Sequence, residues 1–436
     1  KFMDKMADVL GRAGAWCGQN KYLSAIKNAF QNFMPLTIAG AIGVLWCNVL
    51  VNDQTGLGLF FKPIMALDFL NPAFQAVNFC TISCITVGIT LGIAQEIGVW
   101  NMGAEKAGYI PGLVGLAAWL SVTNTSHMVE GAKEAFTGIA GNELGATGLF
   151  TGMIIGVLSV ELFCFFEKQD ALKIKMPEQV PPGVARAFEV LVPATITLII
   201  TACIGSACYN LTGLYLNDVI KNGIQGPLGA VGATIPGVMI IYLVIMLFWL
   251  VGIHGNNMLS AVKEALFTPL ALENVEKFNK GEKPTNIINM YALQMWGEFG
   301  GSGVTIGLVI AIMIFGKRED NKAIATLSLV PGLFNINETV TFGIPMVLNP
   351  ILGIPFVVAP LVTIIIGYVL TVIGFCPVAC LTVPWTTPPI VFGFLACGAN
   401  VMGAVTQAIL IVVSTVIYTP FLISYEKYQN KQAAEA

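Results

Sequence analysis

Residues 339–425 form a tract of 87 residues without a single Asp, Glu, Lys or Arg, and Glu338 directly precedes it. A helix that spans a membrane needs about 20 mostly apolar residues, so this tract holds about three spans' worth of chain. Only 11% of the chain is charged, against about 25% in an average soluble domain. The sequence therefore predicts an all-α polytopic membrane protein, which is embedded in membrane lipid.

Glu338 is the charged residue that this arrangement singles out. Ionised groups beside hydrocarbon are costly, and those that occur there are usually functional. Asn335 and Asn337 stand just before the carboxylate and are suited to hold it, while Gly343 and Pro345 argue against one uninterrupted helix. We therefore expect a broken, re-entrant element that carries the carboxylate into a polar cavity.

The remaining chain divides into apolar tracts and charged connections. Four charge-free tracts cover residues 28–52, 69–95, 107–129 and 144–160. The basic segment 167–189 follows them, and the positive-inside rule places it in the cytoplasm. With the tracts that follow, the sequence predicts about ten transmembrane helices plus two re-entrant hairpins, in a multi-pass protein of the cell membrane with both termini cytoplasmic.

Four segments are predicted from this pattern. Residues 1–28 carry lysines among apolar positions, as expected for an amphipathic interfacial helix. Residues 29–217 read as ordinary spans and are predicted to be the N-terminal scaffold and dimerisation half. Residues 218–425 contain the interruptions by Pro and Gly, which mark substrate sites in transporters, and are predicted to be the C-terminal substrate-binding half. Residues 426–436 are a predicted cytoplasmic tail.

His254 lies in an uncharged run, residues 222–262, between Gly252 and Gly255. One interpretation is a hydrogen-bonded residue that packs helices together. The other is functional, because the glycines break the helix and bring the backbone close to whatever His254 faces. Histidine also has a pKa suited to proton removal at neutral pH. Asn256, two residues on, adds a polar amide to the same segment.

Aromatic and acidic residues near helix breaks complete the candidates. Trp249 and Trp385 suit either an interfacial belt or the stacking faces of a sugar site. Glu298 stands beside the run Gly300-Gly301-Ser302-Gly303, whose spacing suits helix contacts or a ligand loop. A cavity with a carboxylate, a histidine, amides and tryptophans indicates an uncharged polyol or sugar as substrate.

Other function classes lack their signatures. The chain has no P-loop or dinucleotide fingerprint, and a net charge of -3 without a basic block gives no reason to expect nucleic acid. Cys376 and Cys380 have helical spacing but no nearby His, so neither a metal nor another cofactor is predicted. A proton-coupled symporter and a group translocator both remain open. Glu338 would relay a proton in the first and, with His254, activate a hydroxyl in the second.

Several motifs along nearly the whole chain resemble one known family. They are Met-Pro-Leu-Thr at 34–37, Gly-Ile-His-Gly at 252–255, Asn-Ile-Asn-Glu at 335–338 with Leu-Asn-Pro at 348–350, and Pro-Trp-Thr at 384–386. The chain thereby resembles the membrane IIC component of the bacterial phosphoenolpyruvate-dependent sugar phosphotransferase system, of the lactose/cellobiose/diacetylchitobiose type.

The resemblance implies an all-helical homodimer that binds one disaccharide in its C-terminal half. It implies that the sugar is phosphorylated on its 6-hydroxyl, during inward transport, by a separate phosphorylated IIB protein that is charged by IIA upstream. By the same resemblance, Glu338 and His254 are catalytic, and Trp249, Asn256, Glu298, Asn335, Asn337 and Trp385 bind the sugar. Cellobiose or another β-glucoside is the first expected substrate, diacetylchitobiose the second and lactose the third. The alternative is a facilitator or proton symporter that leaves the sugar unmodified.

Overall fold

The computed structural model describes residues 2–53, 57–128, 134–177 and 179–435. The chain is predominantly helical, at 76% of residues. One predicted boundary, Val129 at the end of the third charge-free tract, lies outside the described residues.

Helices in the first half of the chain follow the apolar tracts. They are α1 (Phe2–Gln19), α2 (Lys21–Leu45), α3 (Asn71–Cys80), α4 (Ile85–Met102), α5 (Ala104–Ala107), α6 (Ile110–Val122), α7 (Gly141–Leu144), α8 (Ala146–Glu167), α9 (Pro182–Thr212), α10 (Leu216–Ile220) and α11 (Gly226–Gly232). Two short strands, β1 (Ser126–His127) and β2 (Phe136–Thr137), pair antiparallel. The helix predicted over residues 1–28 is divided between α1 and α2.

The second half contains the remaining ten helices of the described residues. They are α12 (Ile235–Leu250), α13 (Gly255–Met258), α14 (Ser260–Asn279), α15 (Met290–Gly297), α16 (Ile306–Phe315), α17 (Glu319–Leu333), α18 (Glu338–Gly343), α19 (Gly353–Val372), α20 (Val391–Ala396) and α21 (Val401–Glu435). Additional 3-10 turns (Leu57–Leu59, Lys62–Leu70, Ile82–Cys84, Asp170–Leu172) and π-helical turns (Trp46–Leu50, Lys221–Gln225) connect helices of the first half.

Several helices have the length and hydropathy of membrane spans. Within the described residues there are six such helices, or up to seven if the bent pair Leu216–Gly232 and Ile235–Leu250 is one span. The helices Ile110–Val122 and Ile306–Phe315 are apolar but shorter. The chain is thus a multi-pass membrane protein, as predicted, and the count of about ten spans with two re-entrant hairpins stays a prediction.

The chain forms two compact units. We call residues 19–40 and 76–230 the first unit, and residues 1–18, 41–75 and 231–436 the second unit. The predicted division at residues 217 and 218 stays a prediction about function.

In the first unit, α4, α6 and α8 pack against one another and α9 packs on α6 and α8. Trp119 lies at the centre of their apolar core with Ala118, Val122 and Ile155. Several charged groups of this unit are paired: Lys21 Nζ, for example, lies 2.6 Å from Glu161 Oε1. Paired ions are cheaper to place near hydrocarbon than isolated ones.

In the second unit, α21 packs along α16, α19 and α20, and α12 and α15 pack against α19. Bulky aromatic side chains fill this core, among them Trp296, Phe299, Phe356 and Tyr418, each at most 1% exposed. The rings enter where neighbouring helices carry glycine: a Cβ on Gly367 would collide with the Trp296 indole. Close packing at glycine lets the helices approach each other.

A polar cluster ends this core where α16 meets α17. The buried carboxylate of Glu426 accepts hydrogen bonds from the backbone N–H groups of Lys317, at 2.8 Å, and Arg318, at 3.3 Å. Arg318 also hydrogen-bonds Asp320, which lowers the pKa of that carboxyl. The charged residues that interrupt the apolar sequence at 317–320 thus fasten the start of α17 to the end of α21.

Candidate functional site

All eight predicted site residues lie in the second unit. His254 and Trp249 form one side of the group. Helix α12 ends at Leu250, Gly252 adopts a left-handed φ of +80°, and His254 becomes the N-cap of α13. The rings of Trp249 and His254 lie 4.5 Å apart between centroids. The glycine predicted to break the helix thus turns the imidazole back onto the tryptophan, since φ in this range favours glycine.

The hydrogen bond of His254 determines where its proton lies. Its Nδ1 accepts the backbone N–H of Asn257 at 3.3 Å, so the neutral imidazole carries its hydrogen on Nε2 and is a donor there. Glu338, Glu298 and Lys263 all lie within electrostatic range of the ring. In this geometry His254 can donate a hydrogen bond to a hydroxyl oxygen.

Glu298 belongs to a buried polar network. Its Oε1 accepts a hydrogen bond of 2.7 Å from the Tyr242 hydroxyl and forms an ion pair with Lys263 Nζ. Lys263 also donates to Asn256 Oδ1 at 3.1 Å, and Asn256 Nδ2 donates to Ser302 Oγ at 2.9 Å. Two predicted residues, Glu298 and Asn256, are therefore joined through a lysine that the sequence interpretation left out of the site.

Residues 300–304 form a tightly bound loop after α15. Gly300, Gly301, Gly303 and Val304 all have φ between +49° and +88°. A Cβ on Gly301 would lie 2.6 Å from Asn337 Cγ, so the close approach of these two segments requires glycine at position 301. The glycine run thus allows close contact between two segments of the site, and this contact is a physical reason for the glycine pattern in the sequence.

The two asparagines before Glu338 attach that segment to its surroundings. Asn335 Oδ1 accepts the N–H of Gly300 at 2.6 Å, and its Nδ2 donates to the carbonyl oxygens of Trp385, at 2.5 Å, and Thr387, at 3.0 Å. Asn337 Nδ2 donates to the carbonyl oxygen of Ser302 at 2.7 Å. Both amides hold backbone, and neither hydrogen-bonds the carboxylate directly.

Glu338 itself is the first residue of α18 and is exposed. Among the residues that the structure describes, its carboxylate has no hydrogen-bond partner, in contrast to Glu298. The Trp385 side chain is 45% exposed, although its backbone is held by Asn335. The arrangement thus presents a free carboxylate, an imidazole donor and aromatic faces.

Sequence reasoning missed Lys263, Tyr242 and Ser302. Lys263 carries a signal, because it is the first charged residue after the uncharged run at 222–262, and Ser302 lies within the glycine run at 300–303. Within the described ranges, no group of three or more His, Cys, Asp and Glu side chains is placed to hold a metal ion. Cys376 Sγ lies 3.9 Å from Cys397 Sγ, and Cys380, its predicted neighbour at helical spacing, follows the end of α19 in non-helical chain.

The chain is similar to known proteins along most of its length. Residues 27–360 match a family model described as "Phosphotransferase system, EIIC". The chain is 32% identical to the oligo-β-mannoside-specific EIIC component of Bacillus subtilis (strain 168), over 97% of this chain and 94% of the relative. It is 29% identical to the cellobiose-specific EIIC component of Lactococcus lactis subsp. lactis (strain IL1403), over 98% of each.

A solved structure shares the fold over the full length. The crystal structure of the transporter ChbC, the IIC component from the N,N'-diacetylchitobiose-specific phosphotransferase system, superposes with a TM-score of 0.89. The match has 29% sequence identity and covers 100% of this chain and 99% of that chain.

Proposed function

The chain belongs to the EIIC family of the phosphotransferase system, and from that premise we propose that it carries a β-linked disaccharide inward while the sugar is phosphorylated. Cellobiose or another β-glucoside is the first candidate, and diacetylchitobiose and lactose follow. Relatives named for cellobiose and oligo-β-mannosides support β-linked substrates. The observation that carries the proposal is the free carboxylate of Glu338, which lies within electrostatic range of the His254 imidazole on a segment that Asn335 and Asn337 attach to the loop at 300–304.

Transfer of the phosphoryl group would use this pair. The sugar 6-hydroxyl attacks phosphorus on the phosphocysteine of a separate IIB protein, which is recharged by IIA. The S–P bond breaks as the O–P bond forms, and the hydroxyl proton passes to Glu338. His254 donates from Nε2 to the sugar and orients it. Phosphoryl transfer depends mainly on positioning and charge stabilisation, so one carboxylate and one donor are sufficient protein groups.

Sugar recognition would use the remaining predicted residues. Trp249 and Trp385 offer aromatic faces to the apolar C–H surfaces of the sugar rings. The second carboxylate oxygen of Glu298, the one not held by Tyr242 and Lys263, is an acceptor for a hydroxyl. Asn256, Asn335 and Asn337 act in part by holding the backbone and side chains that surround the sugar.

The assembly and topology are proposed on the family resemblance. We propose a homodimer formed through the N-terminal half, with both termini in the cytoplasm. The long helix α9 is compatible with such contacts, since only 22% of its most apolar stretch is buried within one chain. Native mass spectrometry in detergent would show a dimer, and labelling of a cysteine placed at residue 430 would occur only from the cytoplasmic side.

The test uses membrane vesicles that contain the protein and enclose its phosphorylated IIB partner. Radiolabelled cellobiose is supplied outside, and the sugar inside is examined for phosphate. Phosphorylated cellobiose is expected with the wild type and not with Glu338→Gln. Glu276→Gln is the matched control, because Glu276 is a surface carboxylate that pairs with Lys280.

The alternative function gives a different result in the same vesicles. Free cellobiose that accumulates without IIB would contradict group translocation and establish a facilitator or symporter. A proton symporter would in addition require a pH gradient for accumulation. If cellobiose does not enter, diacetylchitobiose and then lactose take its place, and failure of all three contradicts the proposed substrate class.

A further inference from the structure

Lys263 is a buried cation at the centre of the candidate site. The sequence did not predict that it belongs to this site. It lies on α14, its side chain is 7% exposed, and its Nζ pairs with Glu298 Oε1. The same Nζ lies 5.5 Å from the centroid of the Tyr242 ring. Buried lysines are rare unless they are paired, so this position is specified by its partners.

The ion pair sets the charge of Glu298. Tyr242 and Lys263 both donate to one carboxylate oxygen, and a hydrogen-bonded cation favours the ionised form of a carboxyl group. The other groups near Glu298 are His254, ahead of α13, and Glu264, on α14. Because Glu264 is itself acidic, it cannot compensate the negative charge of Glu298. Lys263 is the cation that compensates this charge.

Lys263 also sets the orientation of an amide. An ammonium group only donates hydrogen bonds, so the Asn256 atom 3.1 Å away must be its oxygen. The Asn256 nitrogen then faces Ser302 Oγ at 2.9 Å. With the opposite amide orientation, two donors would face each other at Lys263.

Ser302 continues the chain of contacts to the catalytic segment. Its carbonyl oxygen accepts the Asn337 amide at 2.7 Å, and Asn337 immediately precedes Glu338. Hydrogen bonds therefore run from Lys263 through Asn256 and Ser302 to the residue that places Glu338. Each of these links is at least partly buried.

We propose that Lys263 is a positioning residue of the sugar site, which holds Glu298 ionised and the Asn256 amide in one orientation without itself touching the sugar. The inference rests on the proposed function, because it assigns a role within the same site. It adds a residue that acts through two others. A lysine that served only to fill the core would have neither effect.

The variants are Lys263→Met, Lys263→Arg and the neutral double variant Lys263→Met with Glu298→Gln. Lys263→Met leaves the partly buried carboxyl group of Glu298 with Tyr242 as donor but without a cation. The Glu298 carboxyl group therefore takes up a proton more readily in this variant. Lys263→Arg keeps the charge. The double variant removes both ions, a change that buried pairs often tolerate in folding.

Binding of radiolabelled cellobiose to the purified full-length protein is the first measurement. Lys263→Met is expected to weaken binding about tenfold to a hundredfold at about pH 6, as for the loss of a charge-assisted hydrogen bond. The loss becomes smaller towards about pH 8, because the higher pH returns the Glu298 carboxyl group to its ionised form. In vesicle assays KM rises more than kcat falls. The double variant stays weak at both pH values.

Infrared spectroscopy is the second measurement and needs no sugar. An additional protonated-carboxyl band is expected in Lys263→Met relative to wild type, to Lys263→Arg and to the double variant. An unchanged affinity, or an equal loss at both pH values without the carboxyl band, would overturn the inference. If Lys263→Met does not fold, wild-type affinity in the double variant overturns it. Wild type that binds no disaccharide contradicts the proposed function instead, while the infrared result still decides the charge of Glu298.

Discussion

The Asn337 amide donates a hydrogen bond of 2.7 Å to the carbonyl oxygen of Ser302, and both residues are buried. This bond joins two segments that are 35 residues apart in the chain. It lies directly between the glycine loop at 300–304 and the carboxylate of Glu338. The contacts of this region lead to four predictions.

Asn337→Ala removes the donor and leaves the Ser302 carbonyl oxygen unsatisfied. A buried acceptor without a partner costs about 1–3 kcal/mol. We expect a lower melting temperature in detergent and a loss of phosphorylated sugar in vesicles, because Glu338 loses its anchor. The control is Asn210→Ala, since Asn210 is exposed and its side chain, among the residues that the structure describes, bonds only the Ser206 hydroxyl at 3.5 Å. Equal activity of the two variants would contradict the role assigned to Asn337.

Gly301→Ala tests whether the loop must be close to Asn337. Gly301 has φ +88°, and an alanine in left-handed backbone costs about 1–2 kcal/mol. Its Cβ would also lie 2.6 Å from Asn337 Cγ, and overpacking adds about 1–3 kcal/mol. Gly374→Ala, at φ +80° with no atom within 4 Å, suffers the backbone cost alone. Thermal unfolding and cellobiose binding should both be worse in Gly301→Ala, and equal effects would exclude the contact as the cause.

His254 is predicted to act as a hydrogen-bond donor and also as a helix cap, and two substitutions separate these roles. Asn is a good N-cap residue, so His254→Asn should keep the start of α13 while it loses the Nε2 donor. His254→Ala should lose both. We expect a fall in kcat of about twofold to tenfold in each, as for the loss of one neutral hydrogen bond, with a lower melting temperature only in His254→Ala. Full activity of His254→Asn would show that no donor at Nε2 is needed.

Trp385 is expected to stack on a sugar ring. Its side chain is 45% exposed and therefore accessible. Trp385→Ala should weaken cellobiose binding about threefold to tenfold, as for the loss of one aromatic stacking contact, and Trp385→Phe should weaken it less. Trp100→Ala is the control, because Trp100 is 57% exposed and belongs to the first unit. Equilibrium binding with radiolabelled sugar gives the comparison, and a similar loss in both tryptophan variants would indicate a general effect on folding.

Much of the fold follows from local sequence. The apolar tracts at 28–52 and 144–160 each overlap a long helix in the structure. The break around His254 and the end of α18 at Gly343 also follow from glycine and proline, because backbone preferences depend on the residue itself. The helix expected over residues 1–28 is the weaker case, since the structure divides it after Gln19. Asn20 stands at the break and accepts the backbone N–H groups of Tyr22 and Leu23, as an N-cap residue does.

The candidate site was only partly accessible to the same reasoning. Glu338 and His254 stand out because polar groups are rare in hydrocarbon and so attract attention there. The orientation of the asparagines was not foreseen: Asn335 holds the backbone of Trp385 and Thr387, fifty and more residues away, and does not hydrogen-bond the carboxylate. Lys263 and Tyr242 were missed for the same reason, since their partner Glu298 is distant in sequence.

The sequence by itself determined the membrane class, the positions of the main helices, the family and the rarity of Glu338 and His254. These properties depend on composition, on periodicity and on residues close together in the chain. Only the tertiary structure decided which carboxylate is compensated and which is free. Lys263 pairs with Glu298 and leaves Glu338 unpaired within the described chain, because charges 35 residues apart meet only when α14 and the end of α15 are packed together.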